Sequence, residues 1–361
     1  MIWRDSIAPG WDGGGPPGRR QSQLGANDES YDETSRRGCR ARPFGRRGAG
    51  RTGADLRPRR QVRQVVNEAA YNGAERFASE TGGSYRDLEI SSEAQREQAL
   101  RRFAEAGFNP IVTTGFAQAG PISNVAPDYP DTKFVTIDGF VDPAEHPNVL
   151  SVLFKEHEGS YLVGMLAAMA SETDTVGFVG GMDIPLIRKF ACGYAQGVKA
   201  VNPDATIVAN MTGTTPAAWN DPVKGGELTK AQISQGADVV YAAAGGTGLG
   251  VLQAAADEDI YAIGVDSNQN YLHPGSVLTS MLKRVDVAVF DAMSAGADLE
   301  TGVQVLGLAE EGVGWALDEN NAELISGEME TAVEEAKQQI IAGEIEVHDY
   351  SSDDSCPALT F

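Results

Sequence analysis

The stretch DVVYAAAGGTGLGVLQAAADEDIYAIGVDSNQ, from Asp238 to Gln269, determines the fold of this chain. Its first strand, Val239–Ala242, is an apolar run without alternation, which predicts a parallel strand buried on both faces. A glycine turn and an apolar helical stripe follow, and a second strand, Tyr261–Val265, ends in the polar residues 266–268. Both strands lead into polar loops at one edge of a sheet, where open α/β folds bind ligands. The stretch therefore predicts a small-molecule site.

The same alternation of short apolar strands and amphipathic helices continues through most of the chain after residue 66. Alternating strands and helices predict a doubly wound α/β fold. A chain of 361 residues is too long for one ordinary core and suits two domains. We therefore expect the α/β unit to occur twice.

Charge is distributed unevenly along the chain. The formal net charge is −22, yet residues 1–63 carry 14 arginines and 7 acidic residues, so the remainder carries −29. An acidic body argues against nucleic acid and anionic membranes as partners. The sequence also has no apolar run of the length that spans a membrane.

Catalytic motifs are largely absent from the sequence. It contains no GxxxxGK[ST] phosphate loop and no GxSxG nucleophile elbow. The glycine loop has Val251 where a dinucleotide-binding loop has its third glycine, and the four histidines lack metal-ligand spacing. We expect a binding protein without a cofactor or metal, rather than an enzyme.

Several long motifs resemble one known family. They are NEAAYNGAERF (Asn67–Phe77), VGFVGGMDIPLIRKFACGYAQG (Val176–Gly197), AAAGGTGLGVLQAA (Ala242–Ala255), IGVDSNQ (Ile263–Gln269) and TSMLKRVD (Thr279–Asp286). Together they resemble the basic membrane protein family of ABC-importer substrate-binding proteins, the PnrA-like group. The similarity covers residues 67–357, nearly everything after the arginine-rich start.

The resemblance implies the type I periplasmic binding protein fold, in which two Rossmann-like lobes joined by hinge crossovers close around one ligand. We expect an N-terminal lobe of residues 67–154 plus 280–302 and a C-terminal lobe of residues 155–279 plus 303–361. The implied function is periplasmic delivery of a small polar metabolite to an ABC importer permease, and the ligand we expect is a purine nucleoside. We expect a monomer.

Two other function classes remain open. A sugar-binding or other metabolite-binding sensor protein would share the fold, although a transcription regulator would need an N-terminal helix-turn-helix that residues 1–66 do not show. A nucleoside-acting enzyme would need the phosphate or dinucleotide signatures that the sequence lacks.

Three charged residues are candidates for ligand contact. Asp266 ends a buried strand and could accept two hydrogen bonds from a ribose diol, or could be an ordinary loop aspartate. Lys283 could pair with Asp266, donate to a purine nitrogen, or form a hinge salt bridge. Asp183 lies where a helix begins, so it could contact ligand or merely complement the helix dipole.

Other candidates offer backbone groups or aromatic faces. Asn67 could cap its helix and reach the ligand, and a helix start at Gly246 and Thr247 could present backbone N–H groups or be a plain turn. A nucleobase needs a stacking surface, and three aromatic residues could supply it or simply pack in the protein: Tyr71, Trp219 and Tyr241.

Two cysteines outside the first segment remain to be placed. Cys192 lies on the apolar side of a predicted helix, and Cys356 lies in the tail DDSCPA. They could be one buried and one loose thiol. In an exported protein, however, an even pair suggests a disulfide that fixes the tail to the second lobe.

Residues 1–66 depart from the family pattern. The family has DKSF before the position of Asn67, whereas this chain has RQVV. Codons for RQVRQVV (Arg60–Val66) can be read one nucleotide later as GKFDKSF, so we hypothesise that residues 1–66 are translated out of frame. They would then replace a signal peptide and the first strand, leaving only Val62, Val65 and Val66 to fill it. The alternative is a genuine disordered basic tail, and resequencing the gene decides between them.

Overall fold

The computed structural model describes residues 2–5, 65–90 and 92–361. The strands are β1 (Ile2–Asp5), β2 (Asp87–Ile90), β3 (Ile111–Thr114), β4 (Phe134–Ile137), β5 (Val149–Phe154), β6 (Thr175–Met182), β7 (Thr206–Gly213), β8 (Val239–Ala243), β9 (Tyr261–Asp266), β10 (Val277–Lys283), β11 (Gly302–Leu306) and β12 (Val313–Trp315). The α-helices are α1 (Val65–Thr81), α2 (Arg96–Glu105), α3 (Ala119–Val125), α4 (Glu156–Ala170), α5 (Pro185–Val201), α6 (Pro222–Ile233), α7 (Gly248–Asp257), α8 (Val285–Ala295) and α9 (Gly327–Ile341).

The strands form two sheets, each the centre of one lobe. The first lobe has the strand order β11-β5-β4-β3-β1-β2, with every pairing parallel. The second lobe has the order β12-β10-β9-β8-β6-β7, parallel except where β12 pairs antiparallel with β10. Both sheets reverse their strand order, between β1 and β3 and between β6 and β8, and such points bind ligands. The predicted α/β fold with two lobes is confirmed.

The chain crosses between the lobes after β5, after β10 and after β11. The predicted boundaries at 279/280 and 302/303 need correction, because β10 continues to Lys283 in the second sheet and β11, Gly302–Leu306, pairs with β5 in the first. An apolar strand has the same sequence pattern in either sheet, so only its pairing partner identifies its lobe.

The three crossovers are hydrogen-bonded to one another. The Lys155 amide donates to the carbonyl of Leu306 at 2.9 Å, which joins the first crossover to the third. The Arg284 amide donates to the carbonyl of Gly312 at 2.8 Å, which joins the second crossover to the third. The hinge is therefore a single hydrogen-bonded bundle.

The first strand of the first lobe differs from expectation. Ile2–Asp5 occupies the position between β2 and β3, pairing in parallel with both. Val65 and Val66 begin α1 instead of contributing to that strand. Isoleucine and tryptophan both favour strands, so Ile2 and Trp3 suit this position. Residues 6–64, including most of the segment hypothesised to be out of frame, lie outside the described residues, so that hypothesis remains a prediction.

The core of the second lobe depends on close helix contact. A Cβ atom added at Gly164 of α4 would come within 2.2 Å of the Tyr194 carbonyl oxygen on α5. One added at Gly197 of α5 would come within 2.0 Å of the Tyr161 carbonyl oxygen on α4. The two helices thus touch through their backbones, which holds the middle of α4 against α5.

Candidate functional site

Two aspartates lie at the carboxyl ends of strands, one in each lobe. Asp138 follows β4 with φ 68°, and Asp266 ends β9 with φ 64°. Left-handed backbone is uncommon outside glycine, and aspartate and asparagine tolerate it best. Both lobes thus place a carboxyl group at the sheet edge where ligands bind.

Lys283 lies between the lobes. Its side chain is 3% exposed, and its Nζ is 2.7 Å from Oδ1 of Asp138 and 3.4 Å from Oε1 of Glu156. It was predicted to belong to the first lobe, but it ends β10 of the second and reaches across to Asp138. Of the three roles predicted for Lys283, the salt bridge at the hinge is the contact that the structure shows. The carboxylates of Asp138 and Glu156 hold the pKa of Lys283 well above its ordinary value despite burial.

Asp266 completes the charged cluster. Burial raises the pKa of this carboxyl to about 6, opposed by the attraction of Lys283 and reinforced by repulsion from Asp138 and Glu156. At neutral pH the group is ionised at a free-energy cost, since its pKa exceeds the ordinary value. A partly desolvated carboxylate next to a lysine can accept hydrogen bonds from a ligand's hydroxyl groups while the lysine donates one.

Trp219 covers the glycine edge of the second lobe, which is formed by Gly181, Gly245 and Gly246. A Cβ atom at Gly181, near the end of β6, would lie 2.4 Å from Cζ3 of the indole, so glycine is what permits this contact. The same tryptophan reaches Gly245, whose φ is +56°, and the carbonyl of Trp219 lies near Gly246. The half-buried indole therefore lies at the predicted ligand edge, next to the turn after β8.

The Gly246–Thr247 turn is joined to that tryptophan loop. The Thr247 hydroxyl donates to the carbonyl of Ala218 at 2.7 Å and accepts from the amide of Asp221 at 2.8 Å. Thr247 is completely buried, so its side chain holds the two loops together. The Thr247 hydroxyl is therefore already engaged, and contact with a ligand through backbone groups of this turn stays a prediction.

Helix α1 carries the candidates Asn67 and Tyr71. It packs on α8 and also contacts β9 and the Gly245–Thr247 turn of the second lobe. Tyr71 is half-buried on this helix, whereas the side chain of Asn67 lies outside the described residues. The helix therefore brings first-lobe residues toward the Asp266 side of the cleft.

Two candidates have other partners. Asp183 makes a two-pronged ion pair with Arg188, at 2.6 and 3.0 Å, which lowers the pKa of its carboxyl. Tyr241 is fully buried and packs edge-on against Phe178, with ring centres 5.5 Å apart. Its ring belongs to the core because β8 is covered on both faces, so Tyr241 cannot serve as a base platform.

The disulfide expected between Cys192 and Cys356 is present, with Cα atoms 5.6 Å apart. Gln196 reinforces it by exchanging two hydrogen bonds with the backbone of His348, at 2.8 and 3.0 Å. The tail is thus fastened to α5 of the second lobe.

Sequence reasoning missed Asp138 and Glu156. Asp138 could have been found, because FVTID ends an apolar strand in aspartate as YAIGVD does. Glu156 gives no such signal: it is 1% exposed at the start of α4, and only the fold brings it to Lys283.

Neither a membrane-spanning helix nor a metal cluster occurs among the described residues. None of the helices there is long and apolar enough for a membrane crossing. Across the same residues, no group of His, Cys, Asp and Glu side chains could hold a metal ion.

Comparison with known proteins points to one family. The model for ABC transporter substrate-binding proteins of the PnrA-like type matches residues 64–351. The CD4+ T-cell-stimulating antigen of Listeria monocytogenes is 33% identical over 307 residues, covering 78% of this chain and 83% of its own. The ABC transporter nucleoside-binding protein BmpA of Lactococcus lactis is 30% identical over 306 residues, covering 78% and 84%.

A solved structure agrees in fold. An ABC transporter solute-binding protein from Aeropyrum pernix matches with a TM-score of 0.71 at 31% identity. The match covers 80% of this chain and 90% of that protein.

Proposed function

Because this chain belongs to the PnrA-like family of ABC transporter substrate-binding proteins, we propose that its ligand is a purine nucleoside. A member of this family binds a small molecule and passes it to a membrane permease, and it is not an enzyme. Family members act outside the cytoplasmic membrane or as lipoproteins. We place this protein in the periplasm, a location that its disulfide favours.

The charged cluster between the lobes carries the proposal. Asp266 and Asp138 offer carboxylate oxygens from opposite lobes, and Lys283 offers N–H donors between them. A vicinal diol such as that of ribose has hydroxyl groups that both donate and accept, so it suits such a mixed set. Hydrogen bonds to charged groups contribute about 1.5–3 kcal/mol each, so the sugar would supply much of the affinity.

Aromatic groups support a base on the same ligand. Trp219 lies over the glycine edge of the second lobe, and Tyr71 lies on the helix that approaches from the first. Stacking on such rings is worth about 1–3 kcal/mol per base. The name of the Lactococcus relative, a nucleoside-binding protein, favours the same ligand class.

Lobe closure is the proposed mechanism. A ligand held first by the second lobe would gain its contacts with Asp138 and α1 only when the lobes come together. The ligand therefore binds the closed state better, and that difference shifts the population toward the form presented to the permease.

Calorimetric titration of the full chain with a small panel tests the proposal. The panel contains adenosine, guanosine, inosine, cytidine, adenine and ribose. We expect purine nucleosides to bind more tightly than either adenine or ribose alone. Tighter binding of ribose would favour the sugar-binding alternative, and no heat with any compound would overturn the nucleoside assignment.

A pair of matched variants locates the site. Asp266→Asn should weaken nucleoside binding about tenfold to hundredfold, the loss of one charge-assisted hydrogen bond. Asp259→Asn is the control, because Asp259 also has left-handed backbone, φ 53°, but is exposed before the opposite end of β9. Equal affinities for the two variants would contradict a ligand site at Asp266.

A further inference from the structure

A chain of ion pairs links the C-terminal tail to the cleft. Oδ2 of Asp349 is 3.2 Å from Nζ of Lys189, and the same Nζ is 3.2 Å from Oε2 of Glu156. The other oxygen of Glu156 is 3.4 Å from Nζ of Lys283, which contacts Asp138. Five side chains from the tail, α5, the hinge, β10 and the first lobe thus form one continuous path.

The side chains in the middle of this path are buried. Glu156, Lys283 and Asp138 have side chains 1%, 3% and 6% exposed, and Lys189 is also buried, donating to the carbonyl of Phe154 at 2.9 Å. Charges in such surroundings are weakly screened, and each depends on its neighbours for compensation. Each charge on the path is therefore stabilised mainly by its oppositely charged neighbours.

The carboxylate of Asp349 is held in place by contacts with both of its oxygens. One carboxylate oxygen, Oδ1, accepts from the Ser351 amide at 2.9 Å and so shapes the local turn. The other, Oδ2, faces Lys189, with the imidazole Nδ1 of His157 3.8 Å away. The disulfide Cys192–Cys356 and the Gln196 hydrogen bonds fasten the surrounding tail to α5.

We propose that Asp349 is a positioning residue of the ligand site, acting through Lys189 and Glu156 on Lys283. Without its carboxylate, Lys189 has Glu156 as its remaining carboxylate partner and draws it away from Lys283. Lys283 then loses one of the two contacts that fix its ammonium group between the lobes. The inference rests on the proposed nucleoside function, because the effect of Asp349 is measured as a change in affinity for the diol that Lys283 would bind.

The variant Asp349→Asn isolates the charge. Asparagine keeps an oxygen for the Ser351 amide and replaces only the group that faces Lys189. Asp353→Asn is the matched control, because Asp353 also accepts from a tail amide, that of Ser355 at 3.0 Å, but is exposed and pairs with His348. We expect Asp349→Asn to weaken ribonucleoside binding about 3- to 30-fold and Asp353→Asn to leave it unchanged.

A ligand series separates positioning from general damage. A 2′,3′-dideoxynucleoside lacks the hydroxyl groups that Lys283 and the aspartates would bind. The loss caused by Asp349→Asn should therefore disappear when the dideoxynucleoside is titrated, whereas structural damage would weaken both ligands equally. An equal loss for both, or wild-type affinity for the ribonucleoside, overturns the proposal.

A measurement without ligand keeps the two proposals distinguishable. If the wild-type chain binds no nucleoside, the proposed function fails, and thermal unfolding decides whether the ion-pair chain couples its ends. Melting-temperature shifts of Asp349→Asn and Glu156→Gln should then be non-additive, because both carboxylates share Lys189. Additive shifts would refute the coupling, and Asp353→Asn with Glu156→Gln supplies the additive reference.

Discussion

The substitution Asp266→Asn should make the protein more stable while making it a poorer binder. The pKa of Asp266 rises from 3.8 to about 6. Each pKa unit corresponds to 1.36 kcal/mol, so ionised Asp266 lowers the free energy of unfolding at pH 7.5 by about 3 kcal/mol. Asparagine carries no charge and tolerates the left-handed backbone at this position. Asparagine resembles the protonated carboxyl, and the attraction to Lys283 is already contained in this pKa, so we expect a gain of about 1–3 kcal/mol.

The sign of the effect depends on pH. The folded-state pKa of Asp266 lies above the unfolded one, so the folded protein binds the proton more tightly between pH 4 and 6. The stability contributed by the protonated group is complete below about pH 3.8 and is lost as the pH rises through 6. The advantage of the asparagine variant should therefore be full at pH 7.5 and vanish near pH 4.

Urea unfolding followed by tryptophan fluorescence measures this difference at pH 4, 5, 6 and 7.5. The exposed control Asp259→Asn should change the free energy of unfolding by less than about 0.5 kcal/mol at every pH. Other titrating groups are common to wild type and variant and so cancel in the difference. A destabilised Asp266→Asn protein at pH 7.5, or a gain that is equal at pH 4 and 7.5, would refute the reasoning.

Four further outcomes are expected. Burial and the nearby Lys189 lower the pKa of His157 from 6.5 to about 4, so the stability contributed by its neutral form is lost as the pH falls from 6.5 to 4. The melting temperature of His157→Gln should therefore fall less than that of the wild type over this pH range. Reducing the Cys192–Cys356 disulfide, which spans 164 residues, should cost about 2–5 kcal/mol in urea unfolding, and the reductant should have no effect on a double serine variant. Gly181→Ala should cost about 1–3 kcal/mol by displacing the covering indole, whereas Gly213→Ala, whose nearest neighbour would be 3.6 Å away, should melt like wild type. Because residues 64–361 carry a net charge of −29, added KCl should raise the melting temperature by screening their repulsion, and a flat salt dependence would contradict this.

The sheet architecture could be predicted because its strands are buried on both faces. Val239, Val240 and Tyr241 in β8 are fully buried, as an apolar run without alternation indicates. The same burial explains the error at Tyr241. Tyr241 is the third residue of β8, and the sequence alone does not show whether its ring packs in the core or lies at the open end of the strand.

The charged site could be predicted only in part. Asp266 and Lys283 end apolar strands that can be recognised in the sequence, so their place at the sheet edge could be predicted. Their partners Asp138 and Glu156 come from segments more than 100 residues away. The positions of the crossovers decide which charged side chains meet across the hinge. Two crossovers were predicted at the wrong residues, because the sequence does not show which sheet β10 and β11 join.

The hydrogen-bonded hinge limits the freedom of the two lobes. Because the Lys155–Leu306 and Arg284–Gly312 bonds join all three crossing segments, we expect the lobes to rotate about one common axis rather than slide past each other. The cleft would then adapt to ligands of different thickness by its opening angle alone. Two spin-label distances measured between the lobes should change together across a series of ligands. If the two distances vary independently, the lobes also slide past each other and the hinge does not restrict them to rotation.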